Sequence, residues 1–244
     1  MLERLSPPEQ GDLGTLKPGK TTRIPFDSRE FPTIKHPYGE IPIIHASAGI
    51  KRILSLAYMI TWLWSEHQIN AENVQRPHQK RLVVLVDEME AHLHPQWQRV
   101  ILPALLEVQK ELSSELEMQL MVATHSPLVV ASLETEFDHE RDKLFHLDIA
   151  ENGRSRREVE LKEVPFIKRG RADLWLMSDI FGLKQPRSLQ AEKAIEEATA
   201  LQLQEKAEPE EVRRVNTELL KTLAQDDEFW PLWRYFAKQN GLTK

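Results

Sequence analysis

The sequence predicts an α/β fold with a parallel-sheet core and a helical tail at its carboxyl end. Three observations predict it: the uninterrupted apolar run Leu82-Val83-Val84-Leu85-Val86, the helical spacings that alternate with this and later strand-like runs, and the loss of strand-like segments after about Gly182. At 244 residues the chain holds one large domain, or one domain with an appendage, at roughly 150 residues per domain.

Composition narrows the class further. Hydrophobic residues make up 41% and charged residues 29%, which excludes wholesale disorder, a collagen and a membrane bundle. The 32 Lys and Arg against 38 Asp and Glu give a net charge of -6, so no global basic field drives nucleic-acid binding, although a local basic face is left open. With no cysteine there is neither a disulfide nor a thiolate metal site, as a reducing compartment allows. The amino terminus shows no basic segment ahead of an apolar core, and the most apolar stretch, Ile53 to Trp64, is shorter than the roughly 20 residues that cross a bilayer. A cytoplasmic protein with no membrane contact is expected.

The elements follow in order. Residues 1–45 carry Pro7, Pro8, Pro18, Pro25, Pro32, Pro37 and Pro42, which break helices and leave a β-rich or irregular lead-in. From Ala46 to about His67, Ile50, Ile53, Leu54, Ala57, Tyr58, Ile60, Thr61 and Trp64 recur at helical spacing, and Asn70 to Lys80 reads as a loop. Leu82 to Val86 reads as a strand covered on both faces. Pro95 opens a helix through Trp97, Val100, Ile101, Leu105, Val108 and Leu112, which Pro103 should kink or divide. Further strands are expected at Leu120 to Ala123 and near Leu144 to Leu147, with a short helix after Pro127 between them. In the tail, Ser188 caps a helix running through Gln204, Pro209 starts another, and Phe229 to Phe236 carries an aromatic cluster. The divisions are 1–45 for the lead-in, 46–165 for the central α/β lobe and 166–244 for the helical tail.

Chemistry concentrates at three places. Asp87 and Glu88 end the first buried strand, where an Asp can hold Mg2+ and an adjacent Glu can orient a water toward a phosphate. Thr124-His125-Ser126-Pro127 follows the next strand, so His125 should emerge on the same carboxyl edge and can sense a terminal phosphate. Ser47-Ala48-Gly49 places small residues before a helix, able to offer N–H groups and a hydroxyl to a phosphate. Each has a plainer reading, as an acidic loop, a packing histidine or a close helix start. Their order along one chain favours the functional one.

In that order the segments resemble the ABC-type ATPases of the SMC and OLD-like group, specifically the stand-alone bacterial AAA family ATP-binding proteins. Ser47-Ala48-Gly49 is similar to the signature motif, with Ala48 in place of a common glycine. Leu82 to Glu88 resembles the Walker B strand with its catalytic Glu, Glu90 to Pro95 the D-loop region, and His125 the switch histidine. The resemblance covers about Pro37 to Asp148 and implies a P-loop NTPase-like core in which two heads sandwich ATP, so that a homodimer or larger assembly forms. It assigns Asp87 to Mg2+ through water, Glu88 and His125 to catalysis, and Ser47, Ala48 and Gly49 to the partner head's ATP. The tail from Asp173 resembles the end region of members that work beside a nuclease partner in phage defence.

Gly14-Thr15-Leu16-Lys17-Pro18-Gly19-Lys20-Thr21 fits the phosphate-loop pattern letter by letter, but the flanking prolines allow neither the strand before it nor the helix after it. The chain therefore reads as the carboxyl-terminal half of such an ATPase, without its own phosphate loop. Two other classes stand beside this reading. One is a non-catalytic, truncated ATPase fragment serving as an interaction module. The other is a metal-dependent nuclease using His92 and His94 near Asp87, Glu88 and Glu90. Lys168, Arg169 and Arg171 form a small basic cluster, either an exposed turn or a nucleic-acid contact.

Overall fold

A computed structural model describes residues 2–3, 5–6, 15–36, 39–150, 158–204 and 207–242. The chain divides into two compact units, Met1–Trp175 and Leu176–Lys244. Gly14, Pro7, Pro8 and Pro37 lie outside the described residues.

The first unit opens with short antiparallel strands: β1 (Lys17–Pro18), β4 (Thr33–His36) and β5 (Gly39–Pro42) form one sheet in the order β1-β4-β5, and β2 (Thr22–Arg23) pairs with β3 (Glu30–Phe31). Proline spacing keeps each strand short, because each ring removes a ladder donor. A 3-10 turn, Ile43–His45, leads to helix α1 (Ala48–Asn73). Ser47 caps α1, its Oγ accepting from the Ile50 N–H at 3.3 Å. The helix runs about two turns beyond the expected stop near His67, because Gln68 to Asn73 contains no Gly or Pro to end it.

Strand β6 (Arg81–Val86) pairs in parallel with β7 (Glu117–Val122), Val84 opposite Leu120 and Val86 opposite Val122. Between them lie α2 (Pro95–Gln98) and α3 (Ile101–Leu112). The expected single helix is divided, with Val100 as the N-cap of α3 and Pro103 in its first turn, where the missing N–H sacrifices no intrahelical bond. A core of Ile50, Ile53, Ala57, Trp97, Leu105 and Val129, among others, joins α1, α3 and α4 (Pro127–Ala131) to the inner face of the parallel pair.

Two expectations about the sheet need correction. Strand β6 is not covered on both faces: Leu82, Val84 and Val86 are half-buried while Val83 and Leu85 are 54% and 75% exposed. Among the described residues the helices of this unit pack on one side only, so the apolar run that signals two-sided burial has one open side. The strand expected near Leu144 exists as β8 (Leu144–Ala150), but it pairs antiparallel with β9 (Glu158–Val164), a strand the sequence reading missed. Among the described residues the parallel pairing is therefore that of β6 and β7.

The segment after β9 is held by the Glu134 carboxylate, which accepts from the Arg169 and Gly170 N–H groups at 2.8 and 3.0 Å and from the Trp175 indole at 2.6 Å. Trp175 lies in α5 (Ala172–Leu176). The basic cluster is thus an exposed turn pinned by a carboxylate, with Arg171 also paired to Asp173.

The second unit is helical: α6 (Leu189–Gln202), α7 (Pro209–Thr222) and α8 (Trp230–Gln239). Ser188 caps α6 by accepting from the Ala191 N–H at 3.2 Å, and Pro209 occupies the first position of α7. The aromatic cluster docks within this unit, Trp233 fully buried with its indole N–H donating to Asn216 at 3.0 Å and Trp230 donating to the Ala224 carbonyl at 2.6 Å. Arg187 forks onto Asp227 with two bonds of 2.9 Å, at side-chain exposures of 16% and 12%. That burial lies between a surface pair and a fully buried one, so Arg187→Met is expected to destabilise the second unit by about 2 kcal/mol. Amide hydrogen exchange over residues 207–242 measures the loss; unchanged protection there would show the fork to be energetically idle.

No described helix is long and apolar enough to cross a membrane.

Candidate functional site

The parallel pairing of β6 and β7 decides where the chemical residues lie. Because the Ala123 N–H donates to the Val86 carbonyl at 2.9 Å, the strands run out side by side, and Asp87-Glu88 and Thr124-His125 leave the same carboxyl edge. Asp87, Glu88 and His125 are all exposed there, open to a ligand.

Glu90 ties the two strand ends together. One carboxylate oxygen accepts from the backbone N–H of His125 at 2.6 Å, and the other from the Thr124 hydroxyl. Partial burial pushes this carboxyl up. The hydrogen bonds from Thr124, its own N–H and the His125 N–H, with the His125 charge, outweigh that and hold it below the usual carboxylate range. Ser126 continues the support: its hydroxyl donates to Gln98 Oε1 at 2.7 Å and accepts from the Leu128 and Val129 N–H groups that open α4.

The third segment meets the same edge through the first turns of α1. The Arg52 guanidinium donates to the carbonyls of Asp87 at 2.9 Å and Glu88 at 3.3 Å. A Cβ on Gly49 would lie 2.6 Å from the His92 carbonyl oxygen, so the start of α1 abuts the loop that carries the acidic pair. Ser47 and Ala48 are exposed at that start, and Gly49 is half-buried.

Glu88 itself has a left-handed backbone, φ +48°. A non-glycine residue there costs about 1 kcal/mol, and such strain persists where the surroundings fix it. Glu88→Gly is accordingly expected to raise the unfolding free energy of the first unit by about 1 kcal/mol in urea titration, a gain in stability at a position proposed below to be catalytic. A destabilised variant would show that the carboxylate itself supports the fold.

The sequence names Glu90 only as the start of the D-loop region and as a neighbour of the two histidines, and it gives neither Glu90 nor Arg52 a bracing role. Glu90 follows the acidic pair by two residues, and Arg52 sits one helical turn after Ala48, which were the only signals for that role. His92 and His94 do not form a metal centre. His94 caps α2, its Nδ1 accepting from the Gln96 N–H at 3.3 Å, and among the described residues no three His, Asp or Glu side chains are grouped to hold a metal. The nuclease reading that rested on them loses its site.

The phosphate-loop-like segment lies elsewhere. Lys20 and Thr21 run into strand β2 rather than a helix, the Gly19 N–H donates to the Thr33 carbonyl at 2.9 Å, and the Lys20 N–H donates to Glu40 at 2.7 Å. The N–H groups that would cradle a phosphate at these two positions are engaged in the β-sheet lead-in.

Residues 20–130 match the AAA ATPase domain family. Over 189 residues the chain is 27% identical to the Retron Ec83 probable ATPase of Escherichia coli, an alignment covering 77% of this chain and 30% of the relative. Over 97 residues it is 33% identical to the Retron Vc95 probable ATPase of Vibrio cholerae serotype O1 biovar El Tor, covering 40% of this chain and 17% of the relative. The chain thus spans well under two thirds of the length of either relative. Residues 20–130 are thus similar to an AAA ATPase domain, and such a domain implies a P-loop NTPase-like α/β fold and nucleotide binding.

Proposed function

We propose that this chain supplies the Walker B, switch and signature portions of an ABC-type ATPase of the SMC and OLD-like group, working by ATP-sandwiched dimerisation. The observation that carries the reading is the shared carboxyl edge of β6 and β7, where Asp87, Glu88 and His125 emerge and Glu90 locks the two strand ends together. Asp87 offers the hard oxygen donor that Mg2+ takes through water, and the bound ion would offset phosphate charge. Glu88 accepts a hydrogen bond from the attacking water, and His125 donates one to the terminal phosphate. Ser47, Ala48 and Gly49 reach the ATP of a second head. The catalytic lobe is residues 46–165, preceded by the lead-in and followed by the helical tail, and the whole works in the cytoplasm.

The phosphate cradle comes from a segment other than Gly14 to Thr21, so the chain by itself hydrolyses ATP slowly. The similarity to two retron probable ATPases is in line with a role in antiviral defence, and the tail's resemblance to members that work beside a nuclease is the ground for proposing a nuclease partner.

Phosphate release from ATP and Mg2+ by the purified chain tests this. Slow release is expected, falling by about a hundredfold in Glu88→Gln and changing less than about twofold in Lys20→Ala. Release indifferent to Glu88→Gln would sink the reading, and loss in Lys20→Ala would make Gly14 to Thr21 the phosphate loop after all. A second reading, a non-catalytic interaction module, draws on the uncovered outer face of β6 and predicts no release above background.

A further inference from the structure

Helix α1 has two apolar faces. At about 100° per residue, Ile50, Ile53, Ala57, Ile60 and Ala71 share the side that faces the core of the first unit. The opposite side carries Tyr58, Met59, Trp62, Leu63 and Ile69, exposed by 64, 47, 44, 50 and 50%. Tyr58 and Trp62 stack one turn apart, their rings 6.4 Å between centroids and 4° from parallel, forming a flat aromatic platform. A stripe of this size on a surface helix marks an interaction site rather than scattered surface apolarity.

Charge along α1 points to the occupant. Its formal charges are Lys51 and Arg52 in the first two turns and Glu66 and Glu72 in the last two, with neutral residues and His67 between and around them. Lys51 donates to the Ile44 carbonyl at 2.8 Å and Arg52 to carbonyls of the acidic turn, so neither charge is neutralised by a carboxylate there. Glu66 and Glu72 are exposed. The helix is thus complementary to itself run backwards. Lys51 and Glu66 lie on the same side as the stripe, and an antiparallel pair crossing near Tyr58 brings Lys51 of each copy opposite Glu66 of the other. A parallel pair sets like charges together.

We propose that two copies of this chain associate through antiparallel α1 helices, the Tyr58–Trp62 platform at the crossing and Lys51–Glu66 pairs at each side. At about 100 Å2 from each of five half-exposed side chains, two copies bury about 1,000 Å2, the threshold for a specific interface. The contact goes beyond the ATP-sandwiched dimer: it needs no nucleotide, and joined to such a dimer it builds a larger assembly.

Sedimentation of the full chain without nucleotide is expected to show a concentration-dependent dimer. Trp62→Glu should weaken it by about tenfold or more with the helical circular dichroism retained. Lys51→Glu should weaken it by about threefold, and Glu66→Lys in the same chain should restore it. A monomer at all concentrations, or a dimer indifferent to Trp62→Glu, would overturn the proposal. Because the natural chain has no cysteine, direction can be read separately. Mixed Lys51→Cys and Glu66→Cys chains should form the mixed disulfide in preference to either homotypic one, and the reverse preference would overturn the antiparallel arrangement. Glu88→Gln, which tests the ATP reading, should leave this nucleotide-free dimer unchanged.

Discussion

Replacing Glu90 by Ala is expected to destabilise the first unit by about 3 kcal/mol and to cost phosphate release at least about tenfold. The carboxylate accepts from the Thr124 hydroxyl and the His125 N–H, and truncation leaves that N–H without its charged partner at the junction of two strands. Hydrogen bonds to an ionised acceptor contribute about 1.5–3 kcal/mol each, and the exposed side of the site discounts the sum. Glu90→Gln keeps one acceptor oxygen and should lose about half as much. The same carboxyl makes stability depend on pH. Its folded pKa lies below its ordinary value, so its contribution is fully present above the ordinary carboxylate range and disappears as pH falls through the folded value. Urea titrations of the native chain and Glu90→Gln should therefore converge as pH falls through and below that range, and stay apart above it. Curves that remain parallel to the lowest pH would show that Glu90 does not act through its charge.

The edge that Glu90 braces was legible in the sequence because two short apolar runs, each followed by polar residues, define strand ends wherever they pair. Parallel pairing then puts Asp87 and His125 on one side with no further information. Glu90 itself was not legible: a single Glu in a loop has no period, and its partners lie 34 and 35 residues away. The same limit applies to β8. An apolar run announces a strand but not its neighbour, and Leu144 to Ala150 chose the antiparallel partner β9, which the largely polar run Glu158 to Val164 did not announce.

Burial was misread for a related reason. The run Leu82 to Val86 carries the composition of a strand covered on both faces, and composition reports what a strand tolerates rather than what covers it. Pro103 predicts a kink or a division, and the helix is divided, but the break falls at Val100 and the proline sits in the first turn of α3, where its missing N–H sacrifices no intrahelical bond. Local rules located the discontinuity to within three residues and missed its cause, which is the end of α2 at Gln98.

Gly49 is expected to resist every substitution. Helix propensity alone favours Gly49→Ala by about 1 kcal/mol, since glycine is a poor helix former. The added Cβ would meet the His92 carbonyl oxygen at 2.6 Å, and that atom is backbone with no rotamer to escape into. Nor can the loop retreat at small cost. Its turns are closed by the Ala91 N–H to Glu88 and the Leu93 N–H to Glu90, both at 2.9 Å, while Met89 and Leu93 are anchored in the core. His92 already has a left-handed φ of +63°, so moving its carbonyl adds to existing strain. Overpacking of this kind costs about 1–3 kcal/mol, which overrides the propensity gain: Gly49→Ala should destabilise by about 2 kcal/mol and Gly49→Val by about 3 or more. Both should also shift Ser47 at the start of α1 from the position proposed to meet the second head's ATP, so that phosphate release falls further than stability does. Ala48→Gly, one position earlier and exposed, separates the two terms, because it loses propensity of about 1 kcal/mol and makes no clash. Urea unfolding of the three variants gives the order, and a Gly49→Ala chain more stable than the native one would mean that α1 does not approach the loop this closely.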